Sequence, residues 1–329
     1  MKMPRTFVSI IVFACVVAGC ATAESDAGRR SLAALNAVNA PLATQQSVPA
    51  NRTPAWPCKD EDPTPSLHPV GPLPPPGQMP AESFMQHIFR SGHLVVGVDQ
   101  NTLGFGYRNA NGDLEGFDID LAREVARAIF GNTNAIVFKS ATSAQRIPAV
   151  VNGDVDIAAS LLSINCDRWQ QVDFTTQYYG GYQSVLVRNH SPIRSVADLN
   201  SRTVCATAGS TSIKNIKKVA PHAQIYPVAL RPDCLVALQE GRVDAITADN
   251  TILAGFQVQD PESTPLPGAL EAERYGMAIN IAHPEFVSFV NAVLEELRSN
   301  GTWDRLLQKD VVKVLGINAQ TAPQPEYRA

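Results

Sequence analysis

The chain has 329 residues, 45% of them hydrophobic, and its formal net charge at pH 7 is −4. This length and composition allow one large core or two moderate ones, and they exclude a chain that is disordered throughout. The acidic balance gives no support to nucleic-acid binding.

The N-terminal residues predict an export signal that ends at a lipidation site. A short basic region with Lys2 and Arg5 precedes an uncharged apolar run over residues 6–18, which is too short to span a bilayer comfortably. Small residues then lead to Cys20, the lipobox pattern at which signal peptidase cuts before a diacylated cysteine. We therefore expect a signal peptide over residues 1–19 and a lipoprotein whose palmitate-type chains anchor it outside the cell membrane. An ordinary secretory leader with an incidental cysteine is the alternative.

A proline-rich segment separates this leader from the folded part. Eleven of the 24 prolines lie between Pro49 and Pro80, and no apolar periodicity is sustained there. Because proline-rich segments are extended and stiff, residues 20–83 are predicted to form a tether. At the other end of the chain, residues 319–329 lack an apolar pattern and are predicted to form a flexible tail.

Strand and helix patterns alternate from Leu94 onward. A β-branched run over 94–98 predicts a strand, and Leu121, Val125 and Ile129 recur at helical spacing after it. The later predictions are strands at 136–139, 155–160, 184–187, 204–207, 224–228, 245–248 and 275–280, and helices at 143–152 and 285–298 with others between the strands. This alternation predicts an α/β fold with mostly parallel sheets.

One plan of helix, glycine and strand occurs once in each half of the chain. It runs through Gly153 over residues 150–160 and through Gly241 over residues 238–249. Ligands of open α/β sheets bind beyond the carboxyl ends of strands, where residues 160–163 and Asp249 fall. Two such edges facing each other would make a cleft, although a generic helix-to-strand connection explains the repeat as well.

These stretches resemble, in order and spacing, the family 3 extracellular solute-binding proteins, which are polar amino acid receptors of importers. The resemblance covers about residues 80–316. It rests on LVVGVD at 94–99, GFDIDLA at 116–122, RIPA at 146–149 with GDVD at 153–156, DR at 167–168 with VDFT at 172–175, and GSTS at 209–212.

The family's fold is a two-lobed periplasmic-binding-protein type II fold. The resemblance therefore implies that each lobe is a mostly parallel sheet flanked by helices, with two hinge crossovers between the lobes. Lobe one is expected over residues 84–181 and 276–318, and lobe two over residues 182–275.

Four cysteines remain after the leader and the lipidated cysteine are set aside: Cys58, Cys166, Cys205 and Cys234. An even number agrees with export and allows three disulfide connectivities. We favour Cys205 with Cys234, a pairing within one lobe, which leaves Cys58 with Cys166 and would attach the tether to the folded part. No cysteines or histidines stand at metal-ligand spacing, so neither a metal nor a cofactor is predicted.

The resemblance implies which residues bind the carboxylate of an amino acid. Arg168 matches the family's carboxylate-binding arginine, and a planar guanidinium pairs bidentately with such a group. Ser163 is expected to support the carboxylate from the same lobe. Thr211 and the backbone amides after Gly209 are expected to support it from the other lobe, although residues 209–212 also fit a simple helix cap.

The ammonium group needs an opposite charge of its own, because a buried site must satisfy both poles of a zwitterion separately. Asp249 matches the family's amine-binding aspartate. The main-chain carbonyl of Leu161 is the implied second acceptor. A capping role for Asp249 at the next helix is the alternative.

The residues expected near the ligand side chain give mixed signals. Arg146, with Ser143 as its companion, matches positions that meet a side-chain carboxylate in aspartate- and glutamate-binding relatives. Asp99 instead resembles the glutamine-binding type, whereas Thr207 stands where glutamine binders often have lysine, and Arg231 would add a second positive charge. We therefore expect glutamate and aspartate as ligands, with glutamine and asparagine tolerated.

The predicted function is that of a monomeric, lipid-anchored binding protein that delivers an amino acid to the permease of an ABC importer. A lipoprotein sensor that signals to a transmembrane receptor is the first alternative. A dehydratase on the same fold is the second, but the chain has no phosphate loop, zinc-protease helix or nucleophile elbow, and no general acid can be named. We therefore predict no enzyme.

Overall fold

The computed structural model describes residues 58–59 and 63–328. The predicted signal peptide at 1–19, the lipidation site Cys20 and the tether up to residue 57 lie outside the described residues. Over the described ranges, no helix has both the length and the apolar character that a membrane crossing requires.

Helices and strands alternate through most of the described chain. The helices are α1 (Phe84–Ser91), α2 (Phe117–Phe130), α3 (Arg146–Val151), α4 (Cys166–Trp169), α5 (Thr211–Val219), α6 (Arg231–Gln239), α7 (Asn250–Gln259), α8 (Pro284–Ser299), α9 (Thr302–Leu307) and α10 (Lys313–Leu315), with a 3₁₀ turn at Val196–Leu199 and a π-helical turn at Gln308–Val312. The strands are β1 (Leu94–Val98), β2 (Asn101–Thr102), β3 (Gly106–Arg108), β4 (Leu114–Glu115), β5 (Ile136–Ser140), β6 (Ile157–Ala158), β7 (Asp173–Phe174), β8 (Tyr179–Arg188), β9 (Thr203–Thr207), β10 (Gln224–Val228), β11 (Ala245–Asp249), β12 (Ser263–Pro265), β13 (Glu271–Tyr275) and β14 (Ala278–Ile279).

Two sheets flanked by helices form the centres of two lobes. The sheet of lobe one has the order β5-β1-β6-β14-β7, and that of lobe two has the order β10-β9-β11-β8-β12, with β13 also paired to β8. This confirms the two-lobed α/β fold. Each sheet is mixed, since β14 and β8 run antiparallel to their neighbours. Both strands enter their sheet directly from a crossover, without the intervening helix that a parallel connection requires.

The two crossovers lie side by side. Strands β8 and β13 pair antiparallel, with Tyr179 opposite Tyr275 and Gln183 opposite Glu271. The expected changes of lobe at 181/182 and 275/276 fall on this ribbon. The connection between the lobes is therefore a pair of hydrogen-bonded strands.

The predicted strand over 275–280 is interrupted at Gly276. Strand β13 ends at Tyr275, and β14 begins two residues after the glycine, in the other sheet. The N–H of Gly276 donates to the Leu162 carbonyl at 3.1 Å, and a Cβ at this position would lie 2.8 Å from the Ile164 side chain. An apolar run does not reveal such a change of sheet, so the prediction of one continuous strand was wrong.

Helix α2 follows directly from its residues. Asp118 lies in the first turn, where a carboxylate interacts favourably with the helix dipole. Leu121, Val125 and Ile129 form a fully buried face, as their spacing predicts. Gly131 ends the helix in the left-handed conformation.

The repeated helix–glycine–strand plan has a structural basis in both lobes. Gly153 and Gly241 adopt φ angles of +73° and +71°, a conformation that favours glycine. Three residues after each glycine, an aspartate forms a hydrogen bond with a neighbouring strand of the sheet. The carboxylate of Asp156 accepts an N–H near the start of β1, and that of Asp244 accepts the N–H at the start of β9, both at 2.8 Å. The plan thus positions the carboxyl ends of β6 and β11.

Both terminal segments pack onto lobe one. The structure contains the disulfides Cys58–Cys166 and Cys205–Cys234, which is the pairing favoured above. Ser66 forms a parallel β-bridge with Tyr327, which departs from the flexible tail expected over 319–329. A segment without apolar periodicity can still pair its backbone with another extended segment, and periodicity does not report this.

Candidate functional site

The carboxyl ends of β6 and β11 meet at a cavity between the lobes, as expected for open α/β sheets. The cavity has a volume of about 20 Å³, room for roughly one water molecule. Eight of the ten predicted ligand-binding residues line it: Arg146, Leu161, Ser163, Arg168, Thr207, Thr211, Arg231 and Asp249. The other two, Asp99 and Ser143, contact arginines of this lining.

Arg168 lies on the single-turn helix α4, whose start is capped by the side chain of Asn165. The residue is 9% exposed, and its guanidinium donates to two carbonyls. Nη1 donates to Ser163 at 2.5 Å, and Nη2 reaches across the cleft to Gly209 of lobe two at 3.3 Å. Burial lowers the pKa of Arg168, and the nearby carboxylates of Glu273 and Asp249 oppose that shift.

Arg146 is the first residue of α3 and is only 2% exposed. Its Nη1 donates to the carbonyls of Ser160 and Leu161 at 2.5 and 3.1 Å, and its Nε donates to the Ser143 carbonyl at 3.3 Å. Burial and the positive charges of Arg168 and Arg231 lower the pKa of Arg146 well below its ordinary value. Over the described part of the chain, neither Arg146 nor Arg168 forms a salt bridge with a carboxylate.

Asp249 ends β11 at the opposite side of the cavity and is buried. Its Oδ2 accepts a hydrogen bond from the Tyr275 hydroxyl at 2.6 Å. Burial raises the pKa of Asp249, whereas the tyrosine and the three arginines Arg231, Arg146 and Arg168 lower it. The side chain makes no capping bond to α7, so the alternative role of a simple helix cap is not observed.

Asp99 and Arg231 form a buried ion pair across the cleft. Arg231, at the start of α6 in lobe two, donates to the Asp99 carboxylate of lobe one and also to the Thr102 hydroxyl at 2.9 Å. The two residues were predicted to act separately on the ligand side chain. In the structure they neutralise each other, so neither supplies an unpaired charge to the cavity.

The backbones of the two lobes approach each other closely at Gly209. A Cβ added there would lie 2.6 Å from the Cα of Ala144 in lobe one, and the φ angle of Gly209 is +78°. Thr207, just before it, ends β9, and its carbonyl accepts the hydroxyl of Ser210 at 2.7 Å. A side chain at position 209 would hold the two lobes apart.

Glu273 is a site residue that the sequence analysis missed. It lies on the crossover strand β13 and is 2% exposed. Its Oε1 accepts the Thr211 hydroxyl of lobe two at 2.9 Å, and the nearby Ser163 hydroxyl of lobe one favours its ionised form. Burial and the charge of Asp249 raise the pKa of Glu273 to about 8. The sequence pattern that could have revealed it is the strand period of two, which places Glu273 and Tyr275 on the same face of β13.

Asp118 positions the loop that follows β6. Leu161 has a φ angle of +44°, an uncommon conformation for a residue other than glycine. Its N–H donates to Asp118 Oδ2 at 2.8 Å, and Tyr178 donates to Oδ1 at 2.7 Å. Burial raises the pKa of Asp118 to about 7. The Leu161 carbonyl, predicted to accept the ligand ammonium, accepts a hydrogen bond from Arg146 in the structure.

The described residues contain no group of three or more histidine, cysteine or acidic side chains suited to a metal ion. The polar groups that line the cavity are instead three guanidinium groups, the Asp249 carboxyl group and several hydroxyl and carbonyl groups. Such a set can bind a small ligand that carries charges of both signs.

The chain is similar to known proteins over most of its described length. The model of the bacterial extracellular solute-binding proteins, family 3, matches residues 94–311. The chain is 35% identical over 218 residues to the ABC transporter glutamine-binding protein GlnH of Bacillus subtilis (strain 168), which covers 66% of this chain and 80% of that protein. It is 32% identical over 244 residues to the glutamate-binding protein GluB of Corynebacterium glutamicum, which covers 70% and 82% respectively.

Among solved structures, the ancestral amino acid-binding protein AncCDT-1 has the same fold. It is 29% identical, matches with a TM-score of 0.64, and the match covers 70% of this chain and 100% of that chain. That protein is named as a precursor of cyclohexadienyl dehydratase. The two sequence relatives are named as binding proteins and not as enzymes.

Proposed function

We propose that this chain, which belongs to the bacterial extracellular solute-binding proteins of family 3, binds glutamate or aspartate between its two lobes. One observation carries the choice of ligand. Arg146 and Arg168 are buried in the same cavity and are bonded to backbone carbonyls, without a carboxylate partner among the described residues. A buried charge without a counter-ion is costly, and a dicarboxylic amino acid would supply one carboxylate to each arginine.

The remaining charge of the site complements the remaining charge of the ligand. The Asp249 carboxylate lines the same cavity and is suited to the ammonium group. An amide in place of the side-chain carboxylate would offer Arg146 a neutral oxygen, and a charged acceptor makes the stronger hydrogen bond. Glutamine and asparagine are therefore proposed as weaker ligands, and the names of the two relatives support this range.

Ligand entry requires the lobes to separate. A cavity of about 20 Å³ is smaller than any amino acid, and contacts such as Arg231 with Asp99 close the cleft. A ligand that touches both lobes gains all its contacts only in the closed form. It therefore shifts the equilibrium from open to closed in proportion to its preference for the closed form.

We place this binding event outside the cell membrane, where lipidation at Cys20 would anchor the protein as a monomer. The closed form would deliver the amino acid to the permease of an ABC importer, and the relative named as an ABC transporter component supports this assignment over a sensor. Genes for a permease and an ATPase beside this one would support transport, and their absence would favour sensing. No catalytic step is assigned.

Isothermal titration of the purified chain against the standard amino acids tests the proposal. We expect micromolar or tighter binding of glutamate or aspartate and weaker binding of their amides. The exposed Arg242 provides a control, because its replacement by alanine should leave the affinities unchanged. No binding across the whole set would contradict the proposal, and a stronger preference for an amide would contradict the assigned ligand.

A further inference from the structure

Two segments outside the family match of 94–311 meet on lobe one. The Ser66 N–H donates to the Glu326 carbonyl at 3.0 Å, and the Arg328 N–H donates to the Ser66 carbonyl at 2.8 Å. The ring of Tyr327 stacks on His68 with 4.4 Å between the centroids. We call residues 58–59, 63–68 and 326–328 together the brace.

The N-terminal part of the brace is attached to helix α4. Cys58 forms a disulfide with Cys166, the first residue of that helix. The indole N–H of Trp169, the last residue of the helix, donates to the Pro63 carbonyl at 2.7 Å. Both ends of α4 are thus bonded to the brace.

The C-terminal part of the brace acts on the same stretch. Arg328 Nη2 lies 3.1 Å from Asp173 Oδ1, and its guanidinium lies over the Trp169 ring, 4.6 Å from the ring centre. At the next residue, Phe174, the carbonyl accepts a hydrogen bond at 2.6 Å from the hydroxyl of Ser66, which lies in the N-terminal part of the brace. Residues 166–174 are therefore bonded at several points to chain segments that lie outside the family match.

Helix α4 carries Arg168 between these two attachment points. Its four residues make one turn, which has little stability of its own because helix nucleation is costly. The first and last residues of the helix, Cys166 and Trp169, are bonded to the brace. The Arg168 side chain between them donates to Ser163 and, across the cleft, to Gly209. The direction of the guanidinium thus depends on where the brace holds the turn.

We propose that the brace positions Arg168 for the carboxylate of the ligand and so increases the affinity for every amino acid that the protein binds. This inference rests on the proposed function, in which Arg168 meets the α-carboxylate. Because all amino acids share that group, loosening the brace should lower the affinity for every ligand by the same factor and leave the order of affinities unchanged.

The main test removes the disulfide with the double change Cys58→Ser and Cys166→Ser. Titration calorimetry at 25 °C should show the affinities for glutamate and glutamine both falling about tenfold, the size of one weakened charge-assisted contact. Arg328→Ala should lower both about threefold, since it removes one of the attachments to residues 166–174 and leaves the disulfide. Arg242→Ala is the matched control, because Arg242 also pairs with a carboxylate and lies over a tyrosine ring, but in lobe two.

A second measurement separates positioning from a general loss of stability. In an Arg168→Lys background the contact with the ligand carboxylate is already weakened. Removal of the disulfide should therefore lower the affinity by a smaller factor than it does in the protein with Arg168. Equal losses in both backgrounds, or unchanged affinities despite a lower melting temperature, would overturn the inference. If the serine variant does not fold, Arg328→Ala in the same two backgrounds decides. Failure of the unaltered protein to bind any amino acid would instead contradict the proposed function.

Discussion

Helices α4 and α6 each bring one arginine to the cleft, but the two arginines have different partners. Arg168 of α4 donates to carbonyls, and no carboxylate pairs with it in the described chain. Arg231 of α6 is paired with Asp99 of the other lobe. The charge of Arg168 therefore has no counter-ion in the described chain, whereas that of Arg231 is neutralised in the contact between the lobes.

The two helices are also fixed in different ways. Each has a disulfide within one turn of its arginine, at Cys166 in α4 and at Cys234 in α6. The partner of Cys234 lies on β9 of the same lobe, whereas the partner of Cys166 comes from the segment before the family match. The number of arginines at a site therefore overstates its net positive charge, because packing neutralises some of them.

Removal of Arg168 should have the largest effect on binding. We expect Arg168→Ala to lower the affinity for glutamate roughly a thousandfold, about 4 kcal/mol, because a buried ligand carboxylate would lose its charged partner. Calorimetric titration measures the loss, and circular dichroism checks that the fold is retained. Unchanged affinity in a folded variant would mean that another group binds the carboxylate.

The Arg231 pair should stabilise the closed form of the ligand-free protein. In that form Arg231→Met leaves the Asp99 carboxylate buried without its partner, so we expect the free energy of unfolding to fall by as much as about 3 kcal/mol, and by less where opening of the cleft exposes the carboxylate. Adding Asp99→Asn should recover most of that loss. Denaturation with urea measures both variants.

The exposed interlobe pair of Lys214 and Asp167, 2.9 Å apart, is the matched control. Lys214→Met should change the free energy of unfolding by less than about 1 kcal/mol, as for other surface ion pairs. If the buried pair contributed no more than the exposed one, Arg231 would be no more strongly paired than an arginine of a surface ion pair.

Arg146 should affect the choice of ligand. Arg146→Ala is expected to weaken glutamate binding about thirtyfold, near 2 kcal/mol, and glutamine binding about threefold, since only glutamate presents a side-chain carboxylate. Competition titrations with both ligands give the ratio. Equal losses would place Arg146 away from the ligand side chain.

The fold was predictable where burial gives a strong local period. The expected strand at 224–228 has the observed bounds, and the face made by Leu121, Val125 and Ile129 is buried as expected. Strand β6 is shorter than the predicted 155–160, because only two of those residues pair in the sheet. The change of sheet at Gly276 depends on contacts with a distant loop, which no local period contains.

The site was predictable to the level of positions but not of partners. Strand ends locate Asp249 and residues 160–163, because the order of elements fixes which edge they share. The pair of Asp99 with Arg231 joins residues separated by 132 positions, and its formation depends on how the lobes meet. Glu273 lies on a crossover strand whose pattern of polar and apolar residues is that of any half-buried strand. Its role is visible only from its spatial neighbours Thr211 and Ser163, which are distant in sequence.

Replacement of Glu273, which lies beside hydroxyl groups of both lobes, should have the smallest effect. Its pKa is raised from 4.5 to about 8, mainly by burial. As pH rises between these values, the unfolded chain releases this proton while the folded protein retains it, so the stability of the fold should decrease. The buried carboxyl groups of Asp118 and Asp310, with pKa values raised to about 7 and about 6, contribute in the same direction.

Glu273→Gln should therefore flatten the fall in melting temperature between pH 5 and pH 8 without abolishing it, because the amide keeps the shape of the neutral carboxyl group and cannot ionise. Glu271→Gln on the same strand is the control, since Glu271 is exposed and paired with Lys218. Differential scanning calorimetry at a series of pH values compares the three proteins. If the melting temperature of Glu273→Gln instead fell with pH as steeply as that of the unaltered protein, Glu273 would already be ionised in the folded protein. The hydroxyl groups of Thr211 and Ser163 would then donate to a charged carboxylate and would not be free to donate to a ligand carboxylate.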